Sequence, residues 1–253
     1  MISRPLGSTG IPVSVLGLGT VKFGRNRGVK YPDAEGFPLP TDAEIEALLD
    51  LALSLGITLL DTAPAYGTSE DRLGRLLGAR RERFAIVTKV GEEFEDGVSR
   101  WDYSAAHVEG SVTRSLRRLR TDRLEGVLVH CDRNDAETLS KTPVLETLEA
   151  IKRRGLIRSF GASTYSPEAG LLAAERGDIV MVEPGQAAVI ERARALGKGV
   201  LVKKGLQSGH LAEADRASAF RAILGTPGVT SLVVGTIAPD HLRENARLAG
   251  FLV

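Results

Sequence analysis

Apolar positions along the chain cluster into short dense runs. Between these lie longer stretches in which they recur every three or four residues. The short runs are 14–18, 57–61, 83–89, 124–130, 157–163, 178–182, 199–203 and 230–235, each rich in Val, Ile or Leu and largely apolar on both faces. Strands read this way when helices cover both sides of a parallel sheet. The stretches between them predict amphipathic helices near 41–55, 68–79, 104–119, 136–154, 165–175, 186–196, 212–225 and 239–248. Thr41 and Glu44 make a capping-box pair ahead of Ile45, Leu48, Leu49 and Ala52, which share one helical face. Gly56 follows where a helix C-cap glycine belongs, and Gly155 and Gly197 mark the turns before the fifth and seventh strands.

Eight strand–helix repeats with no break in composition predict one α/β domain over residues 1–253, a (β/α)₈ TIM barrel. An open doubly wound sheet is the alternative. It would place a G-x-G-x-x-G turn after the first strand, but Gly17-Leu18-Gly19-Thr20 lacks the third glycine and runs into no immediate helix. Two stretches read as irregular: the basic loop Lys22 to Pro40, and the acidic loop Val90 to Tyr103 with Phe94, Trp101 and Tyr103. In a barrel both lie at the C-terminal face, where binding residues collect. Phe94 and Trp101 are therefore candidate substrate contacts, although either could simply pack on the rim.

Composition narrows the partners. A formal net charge of +1 gives no global field to recruit nucleic acid or an anionic membrane, so a small-molecule ligand is expected. The single cysteine, Cys131, excludes an internal disulfide and fits a reducing, cytoplasmic setting. No apolar run is long enough to span a bilayer, and the first residues do not read as a signal peptide. A monomer is the default expectation.

The candidate chemistry sits at strand ends. The second strand ends at Asp61 with Tyr66 just beyond, the third ends at Lys89 and the fourth at His130. In a barrel these converge on one mouth. A phenol with a pKa of about 10 is a poor acid near neutrality. A neighbouring lysine charge favours the phenolate and lowers that value, and a carboxylate holds the lysine charged. A histidine at the same mouth can donate to a carbonyl oxygen that gains charge as hydride reaches carbon. Singly, each residue has a structural explanation as turn former, packing group or core histidine. Their placement at successive strand ends is what points to function. No metal is expected, because His130, Cys131 and Asp132 are adjacent and poorly disposed around one ion.

These residues lie in segments that resemble the aldo-keto reductase family along nearly the whole chain. Asp61-Thr62-Ala63-Pro64-Ala65-Tyr66-Gly67 is similar to its Asp/Tyr motif, Val87-Thr88-Lys89 to its lysine strand and Leu128-Val129-His130 to its histidine strand. Arg4 to Ser14 resembles the family's hairpin that plugs the barrel bottom, and Ile157 to Ser163 the segment that approaches the nicotinamide. Gly235 to Asn245 resembles the adenine-end segment. The resemblance implies an oxidoreductase that reduces aldehydes or ketones with NADP(H), or less readily NAD(H). Tyr66 would be the general acid, Lys89 and Asp61 would tune it, and His130 would orient the substrate. Ser163 would hold the nicotinamide carboxamide. Lys203, Lys204, Gly205, Leu206, Ser208 and Gly209 would follow the pyrophosphate. Gly19, Thr20, Gly235, Thr236, His241 and Asn245 would complete the cofactor site.

The chain departs from that pattern after the sixth strand. Met181 stands where the family has a glutamine, and the aromatic that stacks on the nicotinamide is missing. Such a contact is worth on the order of 1 kcal/mol. Thr164 replaces an asparagine, His241 an arginine and Gly235 a frequent lysine. The loop after the sixth strand is also shortened before the helix Ala187 to Leu196, which keeps a second reading open, a catalytically weak cofactor-sensing or regulatory barrel. A third is lyase chemistry through a Schiff base at Lys89 or Lys203, which needs a neutral amine.

Overall fold

The computed structural model describes residues 1–29, 37–207 and 210–250. Eight parallel strands close into a barrel: Leu16–Gly19, Leu59–Asp61, Ala85–Val90, Gly126–His130, Phe160–Ser163, Ile179–Val182, Gly199–Val202 and Ser231–Gly235. Each pairs with its neighbours in chain order, and the eighth closes on the first. The predicted barrel is therefore the observed fold. The capping box is present in both halves: Thr41 Oγ1 accepts from the Glu44 amide, and the Glu44 carboxylate accepts from the Thr41 amide.

Strand residues alternate between the two faces, so every second one enters the barrel. The lower interior is apolar, with Leu59, Val87, Leu128, Ile179, Met181, Leu201 and Val233 in one cluster. The same period carried two residues further up brings Asp61, Lys89, His130, Lys203 and Gly235 to the rim. The candidate residues thus occupy the top layer of a packed column, not a channel. An antiparallel hairpin, Ser3–Pro5 with Pro12–Ser14, closes the bottom. It inserts Leu6, Ile11 and Val13 into the interior cluster.

Three expectations need correcting. Thr20 runs directly into a short helix, Val21–Gly24, so the start of the stretch Lys22 to Pro40 is not irregular. The stretch 136–154 is two helices, Asp135–Lys141 and Val144–Arg153, because Pro143 has no N–H to continue the first. The stretch Val90 to Tyr103 is not irregular. It contains an antiparallel hairpin, Glu92–Glu95 with Val98–Trp101, turned by Asp96 at φ 53° and Gly97 at φ 82°. Two positive φ values in a two-residue turn match the right-handed twist of the flanking strands, and Asp-Gly is a preferred pair for it. No helix among the described residues is long and apolar enough to cross a membrane.

Candidate active site

Lys89 is 1% exposed, and each of its three N–H bonds has a partner. Its Nζ donates to Asp61 Oδ1 at 2.5 Å, to the Thr62 carbonyl at 2.9 Å and to Tyr66 Oη at 3.1 Å. Asp61 balances the charge of an ammonium removed from water. Because Tyr66 accepts from Lys89, its own hydroxyl proton remains to be donated elsewhere. The Tyr66 turn is set by backbone contact. Gly67 has φ 61°, and a Cβ there would lie 2.2 Å from the Gly24 carbonyl oxygen.

Burial pushes the Tyr66 hydroxyl well above its ordinary pKa, and the negative charges of Asp61 and Glu92 add to this. This reverses the direction expected from Lys89 alone. The lysine charge is largely spent on Asp61, whose own charge disfavours a phenolate. The resting phenol is therefore firmly protonated.

His130 faces Tyr66 edge-on, with ring centroids 6.1 Å apart and planes at 87°. Its Nδ1 lies 2.8 Å from Oε2 of Glu92, the first residue of the hairpin. Nδ1 makes no hydrogen bond of good geometry there, so the contact is electrostatic. Glu92 also accepts from Ser99 Oγ at 2.6 Å and from Arg25 Nη1 at 3.4 Å. Burial raises the Glu92 carboxyl, but His130, Ser99 and Arg25 outweigh this and hold it below the usual carboxylate range. Burial lowers His130, against the pull of Glu92. Glu92 was not singled out from the sequence. The Asp96-Gly97 turn, which fixes the hairpin, was the available signal.

Tyr66, Lys89, His130, Ser163, Met181 and Trp101 line a cavity of about 660 Å³. A trough of about 320 Å³ shares Tyr66, Asp61, Lys203 and Lys204 with it and runs past Gly19, Leu206, Gly235, Thr236, His241 and Asn245. Most of the predicted cofactor positions therefore lie along one groove. Thr20 does not. It is fully buried, and its hydroxyl bonds the Asp61 carbonyl and Ser69. Gly205 faces the core, where a Cβ would approach Leu232 and Ile223 within 2.7 Å. Phe94 lies outside the lining and packs under Arg25, 3.5 Å from its guanidinium carbon. Ser208 and Gly209 lie outside the described residues. Arg216 and Lys22 join the trough without having been foreseen, because a charged side chain on a helix or loop reads as a solvated face.

The Aldo/keto reductase family model matches residues 15–214. This chain belongs to the aldo/keto reductase family. The Bacillus subtilis protein YqkF, an uncharacterized oxidoreductase, is 27% identical over 98% of this chain and 91% of its own length. The structure of PA4992 from Pseudomonas aeruginosa, assigned to the aldo-keto reductases, superposes with a TM-score of 0.90 at 49% identity, covering 99% of this chain and 94% of that one. The holo form of AKR11C1 from Bacillus halodurans shares the fold at TM-score 0.80 and 24% identity, over 98% of this chain and 90% of that one. As a family member, this reductase carries the Asp61–Lys89–Tyr66 contacts inside the matched span. The bottom hairpin, Ser3–Pro5 with Pro12–Ser14, and the last strand and helix fall outside it.

Proposed function

We propose that this aldo/keto reductase reduces aldehydes or ketones to alcohols with NADP(H), using Tyr66 as general acid. The observation that carries the proposal is the saturation of Lys89. All three of its N–H bonds point at Asp61, Thr62 and Tyr66, so the tyrosine proton is directed to the cavity.

The trough suits a dinucleotide. Gly19 and Gly235 lie side by side on adjacent strands and leave backbone open to close approach. The helix Pro239–Gly250 starts at its far end, where free N–H groups favour an anion. Lys22, Lys203, Lys204 and Arg216 supply positive charge along its length. Arg216 at that end supports NADP(H) ahead of NAD(H), in place of the arginine that His241 replaces. When bound, the nicotinamide supplies the hydride.

The chain's own residues do the rest. Tyr66 donates its proton to the carbonyl oxygen as charge develops there. Lys89 already donates to Oη and stabilises the phenolate that remains. Asp61 keeps Lys89 charged and aimed, which also argues against a Schiff base at Lys89. As the imidazolium, the form that Glu92 favours against burial, His130 offers a second donor to the same oxygen.

The test is a fluorescence titration with NADPH and NADH, followed by NADPH oxidation with 4-nitrobenzaldehyde. Binding with preference for NADPH, and turnover lost in Tyr66→Phe, is expected. Binding without turnover on any carbonyl would overturn the reductase reading.

A further inference from the structure

The reaction cavity is lined by the cationic side chains of Arg25, Lys89, Arg133, Lys203 and Lys204. Three of them have carboxylate partners: Lys89 pairs with Asp61, Arg25 with Glu92, and Lys204 with Glu183 at 2.6 Å. Among the described residues, no carboxylate lies within ion-pair distance of Arg133 or Lys203. Both instead lean on the ring of Tyr165, Arg133 with its guanidinium carbon at 4.3 Å and Lys203 with Nζ at 4.2 Å from the centroid. Lys203 Nζ also donates to Ser163 Oγ at 2.8 Å. The Tyr165 ring thus meets both cations in the lining of the cavity that Tyr66 and His130 share.

We propose that the substrate carries a carboxylate or a similar small anion, received by Arg133 and Lys203 while its carbonyl faces Tyr66 and His130. This rests on the reductase reading and names the substrate class for the same site. Burial and the charge of Lys204 depress the Lys203 ammonium to about 7. The site thus disfavours its own charge until an anion arrives. A guanidinium suits a carboxylate because its planar fork can bond both oxygens. The same cations could instead serve a cofactor phosphate. Lys203 and Lys204 line both cavity and trough, but Arg133 and Tyr165 line only the cavity. Arg133 therefore separates the two sources.

The test compares 4-carboxybenzaldehyde with benzaldehyde in the wild type, Arg133→Gln and Lys203→Met, alongside NADPH affinity. The wild type is expected to prefer the acid by at least tenfold in kcat/KM, with the preference reduced by 0.5 M salt. Arg133→Gln is expected to cut the acid-to-neutral ratio about tenfold while NADPH affinity changes less than twofold. A wild-type ratio near one, or a ratio unchanged in both variants, overturns the proposal. So does a tenfold loss of NADPH affinity in Arg133→Gln with the ratio intact, which would assign the cations to the cofactor. Calorimetric titration with terephthalate gives an arm independent of turnover. Binding that is lost in Arg133→Gln supports the anion site even if neither aldehyde is reduced, and absence of binding overturns it. Absence of reduction alone would sink only the reductase reading.

Discussion

Glu92 Oε2 lies 2.8 Å from Nδ1 of His130, and the two come from different kinds of element, a hairpin above the third strand and the end of the fourth. The contact bears on what His130 can donate. A neutral imidazole with its proton on Nδ1, facing Glu92, leaves Nε2 as an acceptor only. The imidazolium keeps a proton on both nitrogens and can hold Glu92 while donating to a substrate oxygen. Glu92 favours that charged form, and burial opposes it. The balance puts the His130 pKa below its ordinary value of 6.5. Reduction assisted by the imidazolium is therefore expected to weaken as pH rises through that lowered pKa. Glu92→Gln removes the favouring charge, so the midpoint should move to lower pH and kcat/KM at neutrality should fall about tenfold, a fraction of what a general acid contributes. A kcat/KM–pH profile checks this. An unshifted limb would assign Glu92 to hairpin structure alone.

Tyr66 is expected to behave differently. Its hydroxyl sits well above 10 because of burial and the Asp61 and Glu92 charges, so no loss of activity from Tyr66 ionisation should occur below about pH 10. Tyr66→Phe keeps the ring and removes the proton. Turnover should drop by about a thousandfold, within the range for a positioned acid, with NADPH affinity within twofold of wild type. Single-turnover kinetics and a fluorescence titration measure the two quantities separately.

Asp61→Asn tests the charge balance beneath them. Lys89 is 1% exposed and would lose its anionic partner at 2.5 Å while staying buried. Removing one member of a buried pair costs about 3 kcal/mol or more, because the other charge is left without compensation. Urea unfolding at neutral pH should show that loss. Replacing both members, Asp61→Asn with Lys89→Met, should recover part of the stability and none of the activity.

The strand and helix order was legible because burial of a strand on both faces is written locally as a continuous Val, Ile and Leu run. Asp61, Lys89 and His130 could be placed together for the same reason: each ends a strand, and strand ends share a face. What escaped the reading depended on contacts distant in sequence. Thr20 looks like a rim residue until the Asp61 carbonyl and Ser69 take its hydroxyl. Gly205 also has a packing reason to be glycine that its neighbours in sequence do not show, since a Cβ there would run into Leu232 and Ile223. The raised pKa of Tyr66 is not legible in the sequence because its main cause is burial, and Asp61 acts on the phenol directly as well as holding Lys89 charged. Tyr165, two residues after Ser163, had no pattern of its own to mark it.

Gly97 offers a conformational test of the hairpin. It adopts φ 82°, and a Cβ there would meet nothing within 4 Å, so any effect of substitution comes from backbone preference and not from a clash. Gly97→Val forces a β-branched residue into the left-handed region, at a cost of about 1–2 kcal/mol in the turn. The hairpin lies outside the barrel sheet, so global unfolding should change little. Its first residue is Glu92, however, and a loosened turn frees that carboxylate from His130. A threefold to fivefold loss of kcat/KM is expected, with the pH limb moved in the same direction as in Glu92→Gln. Gly97→Asn, which tolerates positive φ, should retain both rate and profile. Loss of activity in Gly97→Asn as well would point to the open space beside Gly97, not to its backbone angle, as the property that matters.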